Sequence, residues 1–390
     1  MKQILHCIFI ILLTTECFGQ HVTFNKGGIG DKNYYQEIPY ELVNGRIFLI
    51  SEVNRIKRRF LFDTGAPTQV TVELFEELKP AIVNHTDITD AAGNKTALDI
   101  VSIKVLHIGD LTFNDIPALV TGSQMYRCLK IDGVIGSNML RKSVVQILPE
   151  KHIIILTDDE TRLTINRNNQ TGMMTGEPQS YPYFMLQLSN KNTVKVGFDS
   201  GADNLLRLTE KDARRLVKSG VFQKVSTGYG SSNRGLLGLQ APDSLYRLKM
   251  LPINLAGCVF NNVFTETSKS SNSRIGAKLL DYGNVTLDFI HHLFYFDPLG
   301  QSNDVNDMPW PLKPVIEGDK LTVGVVWESL KGKIQSGDQI LSVDGESCEA
   351  IGLCDWLNGK SETLMPNKSA VLSIRDRKGN IKEIHIDREP

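Results

Sequence analysis

Short runs of alternating apolar and polar residues, broken by turn residues, dominate the chain. In residues 134–156 ("VIGSNMLRKSVVQILPEKHIIIL"), Val145, Ile147 and Ile153 keep to one side of a two-residue period. Val285, Leu287 and Leu293 do the same 140 positions later in 274–296 ("RIGAKLLDYGNVTLDFIHHLFYF"). The two stretches align without a gap, and each reads as a turn, a short helix and two strands joined by a tight turn. Upstream, "IPYELV" at 38–43 and "YPYFML" at 181–186 each open a strand-rich stretch. Each continues through a polar turn into a strand that ends on an acid: "RFLFDTGAP" at 59–67 and "VGFDSGADN" at 196–204. Behind each corner, "VTVELFEELKP" and "LLRLTEKDARRLVKSG" carry the spacing of a short helix. The acids stand 136 positions apart and the later stretches 140, so only loops have changed length. The pattern predicts a mainly β chain that contains one unit twice.

The repeat sets the boundaries. The first unit spans 37–160 and the second 181–298, with a polar, Asn-, Thr- and Gly-rich linker at 161–180. A proline- and Asx-rich break at 299–312 leads to a third unit, 313–390. That unit reads as a strand, a loop, "SGDQILSVDG", a short helix at 351–357 and a hairpin turning at Lys378, Gly379 and Asn380. The N-terminus differs. Lys2 precedes "ILHCIFIILL", an apolar run too short to span a bilayer, and then "TTECFGQ". This order predicts a signal peptide over 1–19 and export to a periplasm or the medium, with a lipid anchor on Cys17 as the competing reading that Glu16 disfavours. Residues 20–36, including "GGIGDKN", read as a loose extension. No second apolar run is long enough to cross a membrane.

Composition narrows the functions. A formal net charge of −1 gives no broad footprint for nucleic acid or an anionic membrane. After signal removal, Cys128, Cys258, Cys348 and Cys354 remain; export permits a short Cys348–Cys354 loop, but scattered cysteines pack as small apolar residues and no bridge is expected. His291 and His292 fall at a hairpin turn without a partnering carboxylate motif and read as solvated surface, so no metal or cofactor is expected. No Gly-x-Ser-x-Gly elbow or His-Glu-x-x-His helix is present, and "GGIGDKN" lacks the strand and Gly-Lys-Ser/Thr of a phosphate loop.

The acid corners carry the chemistry. One Asp at a turn reads as a carboxylate satisfying its own backbone. Two of them, brought together by a pseudo-two-fold axis, cannot both ionise easily at about 3 Å and hold one proton between them. The neutral acid then polarises a carbonyl while its charged partner takes a proton from water. Thr64 and Ser200 supply hydroxyls that can bond across the axis; Gly65 and Gly201 allow the sharp turn and a close N–H.

"LFDTGA" and "GFDSGA", each followed by an Ile-Gly element, resemble the aspartic peptidases, and more closely the bacterial retropepsin-like group, here with two lobes fused in one chain. The shared proton is known chemistry of that family. The resemblance implies two β-barrel lobes related by a pseudo-two-fold axis, Asp63 and Asp199 as the catalytic pair, and Thr64, Gly65, Ser200 and Gly201 as its support. It places the psi-loops at Ile135 and Gly136 and at Ile275 and Gly276, with Arg274 standing where an apolar residue is usual. It places the flap at 86–102, tipped by Ala92, Gly93 and Asn94 and lacking the tyrosine of pepsins; 226–238 is the second-lobe counterpart, which either moves or touches substrate. The third unit resembles the PDZ domains of exported bacterial proteases, which implies a C-terminal peptide ligand added to an open edge at 321–326. The implied activity is endopeptidase, acting on a protein or peptide substrate. Two alternatives stay open: an inactive peptidase body that binds peptides through its PDZ domain, and a dimer using one Asp per chain.

Overall fold

The fold is seen in a computed structural model that describes residues 22–389 apart from 232, 301, 302, 306 and 307. The stretch expected to be a signal peptide, 1–19, lies outside the described residues. Strands dominate, and the acid corners are built alike. Ile56–Asp63 lies antiparallel to Arg46–Val53 and parallel to Gly133–Gly136, with Val134 opposite Leu61, Ile135 opposite Phe62 and Gly136 opposite Asp63. Asn192–Asp199 lies antiparallel to Tyr181–Ser189 and parallel to Ser273–Gly276, with Arg274 opposite Gly197, Ile275 opposite Phe198 and Gly276 opposite Asp199. Phe60, Phe62 and Phe198 are buried, so core packing anchors each strand to the end that carries the acid. Gly136 and Gly276 pass close behind the corners: a Cβ would lie 2.3 Å from the backbone of Pro67 and Thr68 at one, and 2.2 Å from the Asn204 carbonyl at the other. Each corner leads to a helix capped by threonine. Thr71 accepts from the Leu74 N–H at the start of Val72–Leu78, and Thr209 from the Asp212 N–H at the start of Glu210–Leu216.

An antiparallel sheet joins the halves. Its strands run in the order Tyr35–Pro39, Ile153–Thr157, Val144–Leu148, Gly283–Asp288, Leu293–Pro298 and Gln170–Gly176. At its centre Gln146 faces Thr286, its repeat partner, and donates an amide N–H to the hydroxyl at 3.2 Å. One apolar cluster runs from Ile47 and Phe62 through Ile147 and Val285 to Phe198 and Leu287, continuous across both halves. Two expectations fail here. Gln170–Gly176, read as linker, is a strand that also pairs with Tyr181–Ser189. The supposedly loose N-terminal residues are ordered: Gly28–Ile29 pairs with Leu111–Thr121, Tyr35–Pro39 closes the joining sheet, and Phe24 is buried. Polar side chains hid the first strand, whose backbone still needs partners, and an unpaired sheet edge explains the second.

The third unit pairs Leu312–Glu317 with Lys320–Trp327, and Gln339–Val343 with Ser369–Arg375, which in turn pairs with Ile381–Asp387 as the expected hairpin. The open edge expected at 321–326 does not exist. That strand is covered by Leu312–Glu317 along its length, and Val325, Val326 and Trp327 pair with Gly230, Tyr229 and Gly228 of the second half. Gly228 has no side chain, and the Trp327 ring occupies the space a Cβ would need; the Arg247 guanidinium lies over that ring, 4.1 Å from its centroid. Cys354 bonds to Cys128 of the first half, not to Cys348, while Cys348 and Cys258 stay reduced and buried. Around that bridge Phe48, Leu61, Leu129 and Val134 share an apolar cluster with Leu353 and Leu357. No described helix is long and apolar enough to cross a membrane.

Candidate active site

The two corners grip one another through hydroxyls. Thr64 donates its backbone N–H to Ser200 Oγ at 3.0 Å, and Ser200 returns its own N–H to Thr64 Oγ1 at 3.1 Å. Each hydroxyl then donates across the divide, Thr64 to the Phe198 carbonyl at 2.8 Å and Ser200 to the Phe62 carbonyl at 3.1 Å. Both side chains are fully buried, so these four bonds form away from competing water, where they hold geometry most firmly.

That grip presses each acid against the opposite glycine. A Cβ on Gly65 would lie 2.4 Å from Asp199 Cγ, and one on Gly201 would lie 2.4 Å from Asp63 Cγ. Only glycine fits. Each acid also caps its own turn: Gly65 N–H donates to Asp63 Oδ1 at 2.8 Å and Gly201 N–H to Asp199 Oδ1 at 3.1 Å. Burial and the Asp199 charge hold the Asp63 carboxyl well above the usual carboxylate range, with a hydrogen bond to Asp199 acting in the same direction; the Gly65 N–H and Arg274 pull against them. Of the residues expected at the site, Asp63, Thr64, Gly65, Asp199, Ser200 and Gly201 therefore converge, backed by Ile135, Gly136, Ile275 and Gly276.

The expected flap is the hairpin of Ile82–Thr89 and Lys95–Ile108. Asp90 sets its tip, accepting from the N–H groups of Ala92 at 3.0 Å and Asn94 at 2.8 Å. Gly93 turns with φ of 86°, where a side chain would be strained. The tip clasps the second-half hairpin of Arg234–Gly235 and Gly238–Leu239. Asp90 Oδ2 accepts from the Leu237 N–H at 2.8 Å, and Asn94 Nδ2 donates to the Gly238 and Leu239 carbonyls at 3.4 Å.

Several site residues were not foreseen in their roles. Arg274, noted only as an oddity, places Nη1 3.2 Å from Asp199 Oδ2. Gln179, inside the supposed linker, donates to the Gly65 carbonyl at 2.8 Å. Tyr181 packs its ring over Gly197, and burial and Asp199 push its hydroxyl pKa far up. The repeat alignment held a signal for Arg274 and for Gly197, which replaces Leu61; nothing local marked Gln179. A correction applies at His291. Two carboxylates do face it, Asp288 at 2.8 Å and Glu160 at 3.6 Å, and the three offer ligand atoms within 4.8 Å of one another, a spacing compatible with a metal ion. Asp288 already caps the turn through the Ile290 and His291 N–H groups.

Comparison with known proteins agrees with the first corner. Residues 50–139 match the model of a family described as aspartyl protease, a span that holds Asp63, the flap and Gly136 but stops short of Asp199. A solved retropepsin-like aspartic protease from Rickettsia conorii is similar at 20% identity over 32% of this chain and 89% of its own, with a TM-score of 0.25. Comparison with curated proteins gave no match.

Proposed function

We propose that the chain is an exported aspartic endopeptidase whose two homologous lobes, related by a pseudo-two-fold axis near Gln146 and Thr286, each contribute one acid to a single active site. The observation that carries this reading is the reciprocal grip of Thr64 and Ser200, which holds two carboxyls against each other's glycine. Water lodged between the acids attacks a peptide carbonyl; one carboxyl protonates the carbonyl oxygen as the other takes the water proton, with no covalent intermediate. The clasped hairpins would open for an extended peptide and close over it. The third unit we read as a PDZ domain that serves peptide recognition while held against both lobes. The Cys128–Cys354 bridge supports export, because such bonds persist in oxidising compartments.

The test is incubation of the mature chain and its Asp63→Asn variant with a diverse peptide library over a pH series, with cut sites read by mass spectrometry. The intact chain is expected to cut and the variant to lose activity by on the order of 10²-fold or more. Absence of cleavage at every pH, or equal cleavage by both, would overturn the reading; peptide binding without turnover would instead favour a scaffold.

A further inference from the structure

The repeat places Arg274 where the first half has Val134, and Gly197 where it has Leu61. In the first half both positions are apolar and join the cluster shared with the third unit. In the second half the missing side chain at 197 makes room for the Tyr181 ring, and the arginine beside it turns to Asp199. Arg274 and Asp199 side chains are each 11% exposed, so the pair is poorly screened by solvent. A guanidinium so placed is costly unless matched by a negative charge. The neighbouring Glu266 is already engaged, with Arg207 at 2.8 Å and Arg247 at 3.6 Å. Asp203 also acts on Arg274 through its charge, but the carboxylate in hydrogen-bond contact with it is Asp199.

We propose that Arg274 is a positioning residue that divides the labour of the pair, keeping Asp199 ionised as the base and leaving the shared proton on Asp63 as the acid. The inference rests on the peptidase reading and deepens it. The donors are arranged accordingly. Asp199 receives the Gly201 N–H on one oxygen and Arg274 on the other, whereas Asp63 receives the Gly65 N–H and, among the described residues, pairs with no cation in direct contact. Water then gives its proton to Asp199 as its oxygen bonds to the substrate carbonyl carbon, and Asp63 gives its proton to the carbonyl oxygen, forming a neutral diol. In the return step Asp199 protonates the amide nitrogen, the C–N bond breaks, and a diol hydroxyl returns a proton to Asp63. Both acids end as they began.

The remaining titratable neighbours leave this division in place. Tyr126, from Gln124–Leu129, faces Asp63, and burial pushes its hydroxyl far above the working range. Tyr181 and Tyr183, from Tyr181–Ser189, are likewise raised by burial and stay neutral. Burial opposes the charge on Asp203, but Lys313, Arg207, Arg46 and Arg274 outweigh it and hold its pKa low, so it stays ionised. The pair itself is what titrates next to Arg274.

The test is the pH dependence of kcat/KM for the intact chain, Arg274→Gln, Arg274→Met and Arg274→Lys, with Asp63→Asn as the control that cleavage comes from the pair. The acid limb reports the first proton lost by the pair. Removing the cation disfavours that anion, so the limb moves to higher pH, by about one pH unit or more for a close opposite charge. At a pH below the limb this is about a tenfold loss of kcat/KM. Arg274→Lys keeps a charge but loses the planar fork, and its limb falls between those of the intact chain and the neutral variants. If one neutral variant does not fold, the other carries the test, because an unmoved limb in a folded neutral variant contradicts the proposal. A uniform fall in rate with an unchanged pH profile would make Arg274 merely structural. Absence of cleavage in the intact chain would remove the peptidase reading itself, a different failure.

Discussion

The corner at Asp63 and the corner at Asp199 share a backbone and differ in their surroundings. Strand, glycine turn, hydroxyl, parallel partner strand and threonine-capped helix recur in both. The layer behind them does not: Leu61 and Val134 on one side, Gly197 and Arg274 on the other. The two corners thus share what fixes the distance between the acids and differ in the electrostatics around them. On the proposed reading, a symmetric frame with an asymmetric charge partner gives two like carboxyls different tasks.

The most damaging way to break the comparison is to touch what the corners share. Gly65→Ala or Gly201→Ala drives a methyl into the opposite carboxyl, 2.4 Å away, and misplaces the reacting groups; kcat/KM on a cut peptide should fall by about 10²-fold or more. Gly172→Ala, with open space at its Cβ and ordinary φ, is the control that leaves activity intact. Next is the asymmetric tether. Cys354→Ser opens the bond to Cys128, 226 residues away, and should lower stability by about 2–4 kcal/mol in urea titration. Ser200→Ala strips the acceptor from the buried Thr64 N–H, a loss of about 1–3 kcal/mol by the same measurement.

The finest separation comes from pH. The folded pKa of Asp63 is raised chiefly by burial, so below the unfolded value both states are protonated and no stability is lost. As pH rises from there through the folded value, the unfolded chain releases its proton first and the native state loses ground. Asp63→Asn has no proton to lose. Thermal melts should show the variant gaining on the intact chain as pH rises through that window, and a constant difference would contradict the raised pKa.

Much of the site was legible because its signals are local. An acid at the end of an apolar run, a glycine two residues on and a matched Ile-Gly strand recur in sequence at nearly the same offset, and Ala92, Gly93 and Asn94 mark the flap turn. What escaped depends on distant partners. Gln170–Gly176 looks like linker because its partners at Leu293 and Tyr181 supply the burial its own residues do not advertise. Cys128 and Cys354 meet only once the third unit docks. That docking uses a Trp327 face whose receptor, Gly228, carries no side chain to announce it. His291 gained Glu160 from a turn that no spacing rule connects to it.

The central claim is that one proton is held between Asp63 and Asp199 and resides on Asp63. Carbon-13 labelling of the aspartate carboxyls, followed by NMR across the pH range with Asp63→Asn as the assignment control, tests it directly. The account predicts one carboxyl that stays protonated well above the ordinary value of about 4 and whose signal is missing from the Asp63→Asn spectrum. If every aspartate in the intact chain instead ionises within the ordinary range, the two acids do not share a proton and the account fails.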